Sequence, residues 1–136
     1  MAGKTLWGRH FRLPALCFFV FAIIVIVSSG LTPAGAQSPA NGKALFERRC
    51  GGCHSLDKDG EGPHLRGVYG RVAGSVDSFQ YSAALKKSQI KWNEEKLDQW
   101  LADGEKIVPN NDMAFHVEKA DERQAIIAYL KQVSTK

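Results

Sequence analysis

Cys50-Gly51-Gly52-Cys53-His54 sets two thiols three residues apart, with an imidazole directly behind the second. On a helical turn, side chains three apart share one face, so both sulfurs can reach a single flat ligand. This spacing is the attachment pattern of a c-type haem, each cysteine forming a thioether to one vinyl group of the porphyrin. His54 is then carried under the iron, where its imidazole fills one axial position. The porphyrin supplies four nitrogens, which leaves a sixth position to be filled. A thiol oxidoreductase would call for a βαβ pattern and a zinc site for a second ligand pair, and the chain offers neither.

Covalent haem attachment belongs to an oxidising compartment, and the sequence upstream reads as an export signal. Lys4, Arg9, His10 and Arg12 form a basic start, Ala15 to Val27 is uninterruptedly apolar, and Ala34-Gly35-Ala36 gives a small-x-small cleavage site before Gln37. The expected organisation is a signal peptide over residues 1–36 and one domain over 37–136, in the periplasm. If the leader stays attached, its apolar run extends through Ser28 to Leu31, near bilayer-spanning length, and anchors the protein in the membrane. Cys17 lies inside that run as a small hydrophobe.

Of 18 Lys and Arg, Lys4, Arg9 and Arg12 fall in the leader, whereas all 14 Asp and Glu follow it, so the net charge drops from +4 to +1 beyond residue 36. The remaining charges are interleaved along the chain, which argues against a nucleic-acid partner, since that would need a strongly basic patch with stacking aromatics. About 100 residues make one small domain whose modest core gains from a large apolar cofactor. The chain is expected to act as a monomer.

The punctuation of this domain is helical. Asn41 is placed to cap a helix through Leu45, Phe46 and Arg49 that delivers Cys50 and Cys53. A Gly-rich loop covers Gly60 to Gly74, and Phe79 to Leu85 suggests a short helical turn. Asn93 caps a stronger helix in which Leu97, Trp100 and Leu101 follow the i, i+3, i+4 spacing, with Glu94 and Glu95 at its positive end. Asp121 opens the last helix, with Ala125, Ile126, Tyr129 and Leu130 on one face. No run alternates as a strand would, so the expected class is all-α.

Met1 and Met113 are the only methionines, and Met1 belongs to the leader. Met113 is therefore the sole thioether of the domain. It lies in a loop, with Pro109 stiffening the entry, rather than on an apolar helix face. The His/Met pattern of haem ligation thus favours Met113 as the sixth ligand, with His64 and His116 as the alternatives. An iron left open by Met113 would instead suit a haem enzyme or a gas sensor.

Gly42 and Phe46 precede the haem pentapeptide, and Gly62-Pro63-His64-Leu65-Arg66-Gly67-Val68-Tyr69-Gly70-Arg71 follows it. Phe79, Tyr81-Ser82, Trp92, Trp100-Leu101, Pro109 with Met113, and Ala128-Tyr129-Leu130-Lys131 complete a pattern spanning essentially the whole domain. In these residues the chain resembles the monohaem class I cytochromes c, the bacterial and mitochondrial electron shuttles. The resemblance implies a small all-α cytochrome c fold, about four to five helices wrapped around one covalently bound haem c. It implies a single-electron carrier and not an enzyme. Pro63 would offer its carbonyl to the far nitrogen of His54, Arg71, Tyr81 and Trp92 would lie near the haem propionates, and Gly42, Phe46 and Tyr129 would join the first and last helices.

Implied partners are a membrane quinol:cytochrome c oxidoreductase as donor, with a terminal oxidase, reaction centre or periplasmic dehydrogenase as further redox partners. The chain touches a membrane only through them or through an uncleaved leader. It departs from the mitochondrial pattern at Trp100, His64, Arg66, Glu105 and Asp112, and the acidic Glu105 and Asp112 weaken a positive ring around the haem edge. Lys86, Lys87, Lys91, Lys96, Lys106 and Lys119 remain as a possible basic patch.

Overall fold

The computed structural model describes residues 39–135; the expected leader lies outside the described residues. Four helices follow in order: α1 (Pro39–Arg49), α2 (Ala83–Lys87), α3 (Glu94–Ile107) and α4 (Ala120–Ser134). α1 begins at Pro39, so Asn41 sits inside its first turn and not at the expected cap. Proline suits a first helical position, where its missing N–H would have had no partner.

α3 starts as its sequence suggests. The Asn93 side chain accepts from the Lys96 amide at 2.8 Å, and Glu94 and Glu95 occupy the first turn, where the helix dipole favours negative charge. The helix is broken at Asp103, whose backbone is extended (φ −165°, ψ 93°). Asp103 Oδ1 accepts from the Lys106 amide at 3.3 Å and so starts the closing turn anew. α4 opens at Ala120, with Asp121 and Glu122 in its first turn and no side-chain cap.

α1 crosses α4 at Gly42. A Cβ there would run into the Ala125 carbonyl and the Tyr129 Cβ, so only a residue without a side chain permits this approach. One turn on, the Phe46 and Tyr129 rings meet at 5.6 Å, tilted by 49°. Glu122 accepts from the Arg49 guanidinium at 2.8 Å and ties the end of α1 to the start of α4.

Leu45 and Phe46, then Leu97, Trp100 and Leu101, then Ala125, Ile126, Tyr129 and Leu130 are buried and form one core. These are the 3.6-period faces of the three longer helices. No strand occurs among the described residues beyond a single antiparallel bridge between Val72 and Lys91. That bridge, with Gly70 donating to the Trp92 carbonyl at 2.7 Å and Ala73 to the Ile90 carbonyl at 2.7 Å, brings the segments carrying Arg71 and Trp92 side by side. Among the described residues no helix is long and apolar enough to cross a membrane.

Candidate functional site

Helical hydrogen bonding runs past the end of α1: the Cys50 amide donates to the Phe46 carbonyl and the His54 amide to the Cys50 carbonyl, both at 2.8 Å. This turn presents Cys50, Cys53 and His54 to a cavity of about 620 Å³. That volume falls within the roughly 300–1,000 Å³ of ligand pockets. Both cysteines are free thiols. Burial pushes the Cys50 thiol up to about 11, only partly offset by Arg49. A redox dithiol lowers its thiol pKa to expose a thiolate; Cys50 goes the other way.

His54 Nδ1 lies 2.8 Å from the Pro63 carbonyl oxygen, which fixes the ring as N–H donor at Nδ1 and leaves Nε2 as the basic nitrogen. Gly62 lies against the same ring, and a Cβ at that position would collide with it. The loop containing both residues is held in turn by Arg71, whose guanidinium donates to the His64 carbonyl at 2.9 Å and the Arg66 carbonyl at 3.2 Å.

The cavity lining also includes Pro63, Arg71, Tyr81, Trp92 and Met113, so it gathers all eight residues singled out in the sequence. His64 and His116 do not line it. Leu97, Trp100, Leu101, Ile126 and Leu130 supply apolar wall from α3 and α4. Desolvation lowers the Arg71 pKa and raises that of Tyr81, each opposed by the charge of the other group. The Trp92 and Trp100 rings pack at 5.4 Å. Trp92 is buried, no acceptor from the described residues meets its N–H, and no fully enclosed side-chain nitrogen or oxygen lacks a partner. Its side chain lines the cavity.

Met113 is half-buried against the core, on a loop fastened at both ends. Before it, Asn111 Oδ1 accepts from the Met113 amide at 2.8 Å, and Asn111 Nδ2 donates to Glu105 at 3.1 Å and to the Val108 carbonyl at 2.9 Å. After it, Val117 is buried and donates to the Leu101 carbonyl at 2.7 Å, while Arg123 donates to the Val117 and Glu118 carbonyls at 3.0 and 2.8 Å. Glu105, Asn111 and Arg123 were not singled out as site residues. The Asn110-Asn111-Asp112 run of turn-forming residues was the one local signal that side chains fix this loop.

A family model for cytochrome c matches residues 39–134. The chain belongs to the cytochrome c family. A cytochrome c of Gibberella zeae is 43% identical over 99 residues, 70% of this chain and 92% of that one. Cytochrome c2 of Blastochloris viridis is 37% identical over 117 residues, 83% of this chain and 91% of its own. The solved structure of cytochrome cH from Methylobacterium extorquens superposes with a TM-score of 0.66 at 42% identity, over 70% of this chain and 98% of that one. As a cytochrome c the protein is a haem-based electron carrier and not an enzyme, and haem c is its cofactor. Its own residues fit that group, with paired thiols, an imidazole and an indole at one cavity walled largely by apolar side chains.

Proposed function

We propose that this cytochrome c carries one electron at a time with His54 and Met113 as the axial ligands and Cys50 and Cys53 as the covalent attachments. The observation that carries the reading is the convergence of both thiols, the imidazole and the domain's one thioether on a single cavity. Haem c, when bound, supplies reversible one-electron exchange at its iron.

Pro63 holds the His54 ring in one tautomer. A thioether from Met113 raises the potential, and apolar walls favour the less charged ferrous state. Arg71, Tyr81 and Trp92 solvate the propionates through a guanidinium, a phenol and an indole N–H. Val72 and Phe115 are the exposed large hydrophobic side chains among the described residues, and both line the cavity. Exposed apolar side chains at the cavity suit brief docking with redox proteins. The partners in this reading are a quinol:cytochrome c oxidoreductase and an oxidase, reaction centre or dehydrogenase, met in the periplasm after export on residues 1–36.

The test is the visible and near-infrared spectrum of the matured holoprotein, oxidised and dithionite-reduced. A ferric Met-to-iron charge-transfer band that vanishes in Met113→Ala is the expected result. Attached haem without that band takes Met113 off the iron.

A further inference from the structure

The carboxylate of Glu105 grips two consecutive residues of the Met113 loop. Its Oε1 accepts from the Asn110 amide at 2.8 Å and its Oε2 from Asn111 Nδ2 at 3.1 Å. Asn110 has a φ of 63°, a left-handed conformation that L-residues adopt at a cost and that asparagine tolerates better than most. A hydrogen bond to its amide from a charged acceptor holds that turn. Asn111 then passes the constraint on, because its Oδ1 accepts from the Met113 amide at 2.8 Å while its Nδ2 is shared between Glu105 and the Val108 carbonyl.

Glu105 belongs to the last turn of α3, restarted by the Asp103 side chain after the break. The loop's position is thereby referred to a helix whose earlier turns sit in the core through Leu97, Trp100 and Leu101. Neither Glu105 nor Asn111 lines the cavity.

We propose that Glu105, acting through Asn110 and Asn111, is a positioning residue that sets how firmly Met113 is held on the iron. This rests on Met113 being the sixth ligand. Loss of the carboxylate leaves Met113 in place and weakens the loop's preference for the closed geometry, so that an outside base displaces the thioether more readily.

Imidazole is titrated into the ferric holoprotein while the near-infrared Met-to-iron band is followed, in wild type, Glu105→Ala, Glu105→Gln, Asn111→Ala and the Glu105→Ala/Asn111→Ala pair. All five carry the band at zero imidazole. Removal of two surface hydrogen bonds to a carboxylate lowers the half-saturating imidazole concentration roughly five- to tenfold in Glu105→Ala. Glu105→Gln keeps one acceptor oxygen for the Asn110 amide and falls between Glu105→Ala and wild type. Because the two residues share the Glu105–Asn111 bond, the double variant is less sensitive than the summed effects of the two single changes would make it. Glu95→Ala, which removes an exposed acceptor of Gln99 in the first turn of the same helix, titrates as wild type. A Glu105→Ala protein needing as much imidazole as wild type, or fully additive effects in the double variant, overturns the proposal. A wild-type holoprotein with no near-infrared band removes the Met113 reading itself, and the role of Glu105 falls with it.

Discussion

The Pro63 carbonyl oxygen stands 2.8 Å from His54 Nδ1, while Gly62, one residue earlier, leaves no room for a side chain against the same ring. A single dipeptide therefore both orients the imidazole and limits its movement. The partners are nine positions apart in sequence, and the backbone between them is closed by the Gly62 amide donating to the Cys53 carbonyl at 2.9 Å.

Gly62→Ala forces a Cβ into the His54 ring. Overpacking of this kind costs about 1–3 kcal/mol, here drawn from the stability of the holoprotein, and the ring must turn away from Pro63. Chemical unfolding and the reduction potential should both fall. An unchanged potential with unchanged stability would show that the ring yields freely and that Gly62 does not constrain it.

With Met113 as the sixth ligand, as proposed, Met113→Ala keeps the haem attached through Cys50 and Cys53 and opens that position. Carbon monoxide should then bind the ferrous protein at neutral pH, where wild type does not, and the potential should drop. Binding of carbon monoxide to wild type as readily as to the variant would place some weaker ligand opposite His54.

At the crossing of α1 and α4, Gly42→Ala meets the Ala125 carbonyl and Tyr129 Cβ. Backbone cannot retreat as a flexible side chain can, so the loss lies at or above the usual overpacking cost of about 1–3 kcal/mol. The denaturation midpoint should fall without a change in the visible spectrum at zero denaturant. A midpoint equal to wild type would mean that the helices separate at no cost.

Trp92→Phe retains most of the packing on Trp100 and deletes the indole N–H of a cavity-lining residue. With a propionate as its acceptor, the change leaves a carboxylate short of one hydrogen bond and lowers holoprotein stability by about 1–3 kcal/mol. It should also make the potential more dependent on pH near the propionate titration. Loss of stability with no change in that pH dependence would reduce Trp92 to a packing role.

Asp59 gives the fold a pH signature. Hydrogen bonds from the Ser78 side chain first, and then from the His64 amide, hold its carboxyl down from an ordinary 3.8 to about 2, and the His64 amide donates to it at 2.8 Å. A depressed folded-state pKa means that the unfolded chain takes up the proton first. The contribution of Asp59 is complete above 3.8 and disappears as pH falls toward about 2. Unfolding followed across that interval should show a shallower loss in Asp59→Asn than in wild type; parallel curves would count against the linkage.

Much of this protein was legible because its signals are local. The cysteine spacing of Cys50 and Cys53, the Asn93 cap, and the 3.6-period faces of Leu97-Trp100-Leu101 and Ala125-Ile126-Tyr129-Leu130 are set by neighbours within one or two turns. A short-range rule reads them without knowledge of the fold. The start of α1 was misplaced at Asn41 because polar capping residues and a first-turn proline both mark helix starts, and Pro39 prevailed. The break at Asp103 was missed because an aspartate inside an amphipathic run can equally be a solvated surface residue.

By itself, the sequence determined the cofactor chemistry, the family and the helical class, since thiol spacing and apolar period follow from covalent connectivity. Only the tertiary structure decided that Met113, Arg71, Tyr81 and Trp92 share a cavity with His54, and that Val117 beyond the Met113 loop is tied to Leu101. Those relations depend on how separate segments are brought together through space, by the bridge at Val72 and Lys91, the passage of α4 over Gly42 and the burial of Val117. The physical reason is that contacts between distant segments arise from packing of the whole core, which no short stretch of chain encodes.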